Sequence, residues 1–150
     1  MNRDRDRGIL CTVLVIENDP HSGRLMQSIL SDLFDEVVLA DSAKTALDHL
    51  AESTVSLITL DLGLPDLSGI DLVRTIREQT DTPIVVVSAD TSPSTLVAAL
   101  GAGADDYLEK PVVPAVLRAR VGAIMRRVGH VQWNPFRISM TNSASTCSST

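Results

Sequence analysis

Polar side chains with complementary chemistry stand where short apolar runs give out. Asp61 follows VSLITL and opens the turn-rich stretch LGLPDLSG; Glu17, Asn18 and Asp19 follow TVLVI; Ser88 closes PIVVVS; Lys110 follows DYLE. Carboxylates and carbonyls together suit a hard divalent cation such as Mg2+, which takes oxygen ligands and keeps several waters. A lysine and a hydroxyl suit a phosphoryl group, and an acid that faces both a metal and a lysine is a candidate nucleophile. The chemistry indicated is phosphoryl transfer to Asp61. Taken singly, each residue has a plainer job. An Asp after a strand commonly caps the next helix or satisfies a turn amide, a lysine at a strand end is usually solvated, and Ser88 can bond to backbone alone. The weight lies in their joint recurrence at strand ends.

The elements that must position these residues follow from hydrophobic periodicity. The runs TVLVI (12–16), EVVLA (36–40), VSLITL (55–60), PIVVVS (83–88) and DYLE (106–109) read as strands, three of them too apolar to have a wet face. Between them, Leu25, Met26, Ile29, Leu30 and Leu33 repeat at helical spacing, as do Ala43, Ala46, Leu47 and Leu50, and both stripes are expected in the core. Asp19 before Pro20 reads as an N-cap with proline in the first turn, and Ser68 similarly precedes GIDLVRTIRE. A fourth helix is expected near 93–102, weakened by its glycines and small residues, and a fifth from about Pro114 to Arg127. Alternating strands and helices predict an α/β, doubly wound, five-stranded parallel sheet, whose strands present their carboxyl ends along one edge. Glu17, Asp61, Ser88 and Lys110 can converge there.

Composition bounds the rest. At 150 residues and 44% apolar content, the chain is one ordinary domain with a real core. Cys11 and Cys147 lack metal-ligand spacing and suggest reduced thiols in a cytoplasmic protein. No leader-like segment opens the chain, and no stretch is apolar enough to cross a membrane. All 19 acids and 7 of the 13 bases lie in residues 1–109, a charge of -12, leaving +6 on 110–150. The main body should repel nucleic acid. Arg118, Arg120, Arg126 and Arg127 more often pair with nearby acids than with phosphates. Residues 1–9 read as an N-terminal extension, 10–127 as the domain and 128–150 as a flexible tail in which Trp133 and Phe136 stand out, with no output domain following. His21, His49 and His130 share no ligand spacing and read as surface residues; Asp66 and Asp71 read as turn and helix-terminus acids.

Four motifs, ENDP after TVLVI, LDLGLPDLSG, VVVSAD and GADDYLEKP, occur in the order found in bacterial response-regulator receiver domains, and the chain resembles that family over roughly residues 10–127. The resemblance implies a flavodoxin-like strand order 2-1-3-4-5, an order for which a member of this family is a standard example. It further implies a two-component switch in which a sensor histidine kinase or phosphotransfer protein donates a phosphoryl group to Asp61 with Mg2+ as cofactor, making the chain a phosphoacceptor rather than an enzyme in its own right. Ser88 and Lys110 would contact the phosphate, Tyr107 would be the aromatic that changes rotamer, and the bond before Pro111 would be cis. Glu17 and Asn18 occupy the acidic pair that, with Asp61 and the Gly63 backbone carbonyl, would hold the metal.

The departures are informative. Asn18 offers a carbonyl oxygen but no charge, which lowers the expected affinity for Mg2+, and Gly63 has no side chain to interfere with attacking water. GADDYLEKP with LRARVGAIMRR is similar to receivers of the winged-helix (OmpR/PhoB-like) class, implying a homodimer face on the fourth helix, fifth strand and fifth helix with Asp105, Asp106, Arg120 and Arg127 as cross-dimer ion pairs. Other readings are a phosphorylation-independent docking module, the receiver portion of a truncated DNA-binding regulator, and a small flavodoxin-like enzyme or nucleotide binder. The last is disfavoured because ENDPHSG lacks a phosphate-cradling glycine pattern.

Overall fold

In the computed structural model, residues 11–128 are described. They alternate strand and helix throughout: β1 (Thr12–Ile16), α1 (Pro20–Leu30), β2 (Glu36–Ala40), α2 (Ala43–Glu52), β3 (Leu57–Leu60), α3 (Gly69–Gln79), β4 (Ile84–Ser88), α4 (Pro93–Ala102), β5 (Asp106–Glu109) and α5 (Pro114–Arg127). The strands form one parallel sheet in the order β2-β1-β3-β4-β5. The expected extension and tail, with Trp133 and Phe136, lie outside the described residues.

Strand alternation builds two cores. Val13 and Val15 join Leu57, Val85 and Val87 beneath Leu30 of α1 and Leu117, Val121 and Ile124 of α5. Leu14 and Ile16 point the other way and join Ile58, Leu60, Ile84 and Val86 beneath Ala46 of α2, Leu72 and Ile76 of α3, and Ala99 of α4. Every residue of β1, β3 and β4 is buried, which is why their sequences show no polar alternation, whereas β2 and β5 are edge strands.

Several local expectations need correction. Leu25 is 44% exposed, because the apolar stripe of α1 is wider than the face the sheet covers. The third strand begins at Leu57, where pairing with Val13 starts, rather than at Val55. Ser68 precedes α3 but makes no side-chain cap bond. Cys11 is fully buried and disulfide-bonded, not a reduced thiol. The fourth helix is regular despite its small residues: Ser92 caps it, Pro93 opens it, and Gly103, at φ 125°, ends it.

Candidate functional site

The loops at the carboxyl edge continue the pattern of the sheet beneath them. Asp61 N–H donates to the carbonyl of Ile16, Glu17 N–H to that of Ala40, and Lys110 N–H to that of Ser88, each at 2.9 Å. These bonds fix where each side chain leaves the backbone. The Lys110–Pro111 bond is cis, as the resemblance implies. Lys110 Nζ lies 2.8 Å from Glu17 Oε1 and 3.6 Å from Asp61 Oδ1. The ion pair therefore joins residues 93 positions apart in sequence.

Glu17 is the most buried of the three, with its side chain 4% exposed against 16% for Asp61. Desolvation is the main reason that its carboxyl titrates above the ordinary glutamate range, opposed by hydrogen bonds from Lys110 and the Asp19 amide and reinforced by the nearby charge of Asp61. Asp19 caps α1 as expected, accepting from Ser22 N–H at 3.1 Å. Asn18 is exposed, and its amide donates to the carbonyl of Asp41 at 3.2 Å.

Ser88 is buried, and its oxygen accepts from Asp90 N–H at 3.1 Å. Its hydroxyl proton remains available to donate to an anion. Asp90 then works in three directions. Its amide holds Ser88, its carboxylate accepts from Ser92 N–H at 2.8 Å and Thr95 Oγ1 at 2.7 Å, and its carbonyl accepts from the Tyr107 hydroxyl. Tyr107 thus connects β5 to the loop that follows Ser88.

Two residues that sequence reasoning missed or misplaced shape the loop after Asp61. Asp66 is a helix-terminus acid, but of α2: its carboxylate accepts from Ala43 N–H at 2.9 Å and Lys44 N–H at 3.0 Å. Those backbone bonds hold its carboxyl below the usual aspartate range. At Gly69 a Cβ would stand 2.4 Å from Leu62 Cα, so only glycine lets the start of α3 press against the residue after Asp61. The Ser-Gly pair before α3 was the available signal for a close approach.

Asp105 and Asp106, expected at a dimer face, are engaged within the chain. Asp105 accepts from Arg77 Nη2 at 2.9 Å and from Ile84 N–H at 2.8 Å, an internal clamp. Arg77 also binds the carbonyls of Gly103, Thr80 and Thr82. Asp106 takes two bonds from Arg120 Nη1, at 2.9 and 3.1 Å, while Arg127 is exposed. Beside them, Leu96, Tyr107, Val113, Val116 and Arg120 line a groove of about 580 Å3.

Glu17 and Asp61, with the Gly63 carbonyl two residues on, are hard oxygen donors of the kind Mg2+ prefers. A Cβ at Gly63 would lie 3.7 Å from Asp61 Oδ2, so that position does border the Asp61 carboxylate. The set fits a divalent cation in kind but is one carboxylate short, and among the described residues no three acidic, histidine or cysteine side chains cluster as a metal centre.

The family model of the response regulator receiver domain matches residues 13–122. The transcriptional regulatory protein KdpE of Mycobacterium tuberculosis is 41% identical over 115 residues, covering 77% of this chain and 51% of that protein. The DNA-binding response regulator MtrA of Mycolicibacterium smegmatis is 39% identical over 116 residues, 77% of this chain and 50% of that one. The chain spans about half the length of the curated relatives it matches. A two-component response regulator from Clostridium difficile superposes with a TM-score of 0.75 at 30% identity, covering 79% of this chain and 98% of that one. The BeF3-activated N-terminal receiver domain of Klebsiella pneumoniae RstA gives 0.72 at 33%, covering 77% and 98%.

Proposed function

Because this chain belongs to the response regulator receiver domain family, we propose that Asp61 accepts a phosphoryl group from a sensor histidine kinase or phosphotransfer protein and that the modification switches a protein interaction surface. The observation that carries this reading is the Lys110 ammonium placed between Glu17 and Asp61 at the carboxyl edge. In the transfer, an Asp61 oxygen bonds to phosphorus as the phosphorus–nitrogen bond of a phosphohistidine breaks. The imidazole keeps the electron pair and takes up a proton. Lys110 and the Ser88 hydroxyl face the charge on the phosphoryl oxygens, where preorganised donors count most. Glu17, Asp61 and the Gly63 carbonyl would hold Mg2+, with Asn18 offering at most an amide oxygen; the bound cation neutralises phosphoryl charge. Tyr107 is the proposed relay to α4, through Asp90.

Residues 10–127 form the proposed receiver unit, with 1–9 and 128–150 flanking it. The relatives bear DNA-binding and transcriptional names and are about twice as long, which supports reading this chain as the receiver portion of a cytoplasmic transcriptional regulator. With its acidic main body, the receiver itself would leave DNA contact to another domain. The α4–β5–α5 face, with exposed Leu96, Val97, Leu100, Val113 and Val116, is the proposed homodimer surface. A phosphorylation-independent docking role is favoured by one observation, the missing carboxylate at Asn18. Incubation with acetyl phosphate and Mg2+ followed by intact-mass measurement should add one phosphoryl group to the native chain and none to Asp61→Asn. Undiminished labelling of Asp61→Asn would overturn the assignment.

A further inference from the structure

Asn18 departs from an acidic pair, yet the structure gives its amide a specific partner. Its nitrogen donates to the carbonyl of Asp41, 23 residues away, in the turn between β2 and α2. The far end of that turn is gripped from a different loop: Ala43 and Lys44 donate to Asp66, which lies five residues beyond Asp61. Asp41 through Lys44 is a continuous stretch of backbone. It is therefore anchored at one end by the β1–α1 loop and at the other by the acceptor loop. Gly69 backs the same loop, its N–H donating to the Leu62 carbonyl at 3.3 Å.

An aspartate at position 18 could not make this bond. A carboxylate has no proton to donate and would face the Asp41 carbonyl oxygen with like partial charge. It would also add a third negative charge beside Glu17 and Asp61, which already share one lysine. The amide does the reverse, since it supplies a donor and adds no charge.

We propose that Asn18 is a positioning residue, which holds the acceptor loop through the Asp41–Lys44 turn and Asp66 and so orders the site by hydrogen bonds where a third carboxylate would leave that ordering to a bound cation. The labelling part of the test rests on the phosphoacceptor reading; the unfolding part does not. Asn18 and Asp66 are not bonded to each other, and substitutions at independent, non-contacting sites ordinarily add. A shared strap makes them couple.

The experiment is a double-substitution cycle in the full chain with Asn18→Ala, Asp66→Ala and both together, alongside Asn18→Asp. Thermal unfolding is followed with and without saturating Mg2+, and labelling by acetyl phosphate is timed at saturating Mg2+. Each alanine variant should label several-fold more slowly than the native chain, and the double variant should be no slower than the slower single one. In unfolding without metal, the loss of Tm in the double variant should fall short of the two single losses combined. Asn18→Asp should melt below Asn18→Ala without metal and gain more on adding Mg2+ than Asn18→Ala, which keeps Glu17, Asp61 and the Gly63 carbonyl but adds no charge. Additive melting losses, or native melting of Asn18→Ala, would overturn the strap. If no variant takes label while the melting losses still couple, the strap stands and the phosphoacceptor reading falls.

Discussion

At the carboxyl edge of the sheet, Glu17, Asp61 and Lys110 meet through ion pairs of 2.8 and 3.6 Å, whereas on the neighbouring α4–β5–α5 face Leu96, Val97, Leu100, Val113 and Val116 stand exposed around an open groove. The edge holds charge in fixed positions, as chemistry on a phosphoryl group requires. Two acids of the face are already paired within the chain, since Asp105 binds Arg77 and Asp106 binds Arg120. An apolar face suits association with another protein surface, and its partner choice would rest on shape more than on exposed ion pairs, which contribute about 0–1 kcal/mol each. Asp90 is where the two regions meet, because it touches Ser88 on one side and Tyr107 and the start of α4 on the other.

The α4–β5–α5 side can be perturbed without touching the carboxyl edge. Arg77→Ala removes the donor shared by the Gly103, Thr80 and Thr82 carbonyls and by Asp105, loosening the junction of α3, α4 and β5. A loss of about 3 kcal/mol is expected in denaturant unfolding, with labelling of Asp61 retained in the folded protein. From the edge side, Gly69→Ala drives a methyl into Leu62 and should cost about 2 kcal/mol, this time with slower acetyl phosphate labelling as well. If the two variants lost labelling equally, edge and face would not be separable.

The smallest effect concerns Asp90. Hydrogen bonds from Ser92 and Thr95 hold its carboxyl below the usual aspartate range. A carboxyl depressed on folding stabilises the native state above its unfolded pKa, and that contribution is lost as pH falls through the folded value. The stability advantage of the native chain over Asp90→Asn should thus be constant near neutrality and vanish only in acid below the ordinary aspartate range. Unfolding curves across pH check this, and an advantage that instead disappears as pH rises would refute it.

Much of this arrangement was legible in the sequence because it is local. The burial of β1, β3 and β4, the Asp19 cap and the bounds of α4 and α5 follow from composition over a few residues, and strand ends placed Asp61, Ser88 and Lys110 along one edge. What escaped depends on partners distant in sequence. Asp66 caps a helix 22 or 23 residues upstream, and Arg77 reaches Gly103 and Asp105 across 26 and 28 positions, so neither role leaves a local pattern. Leu25 shows the opposite failure: its spacing marks a stripe but not how much of the stripe the sheet covers.

On the proposed reading Asp61, not a neighbouring acid or hydroxyl, carries the phosphoryl group. Borohydride reduction converts an aspartyl phosphate to homoserine, and peptide mass spectrometry locates it. After labelling with acetyl phosphate and Mg2+, reduction should leave homoserine at position 61 alone. Homoserine at position 66 or 19, reduction of Glu17, or a phosphate on Ser88 that survives the treatment would contradict it.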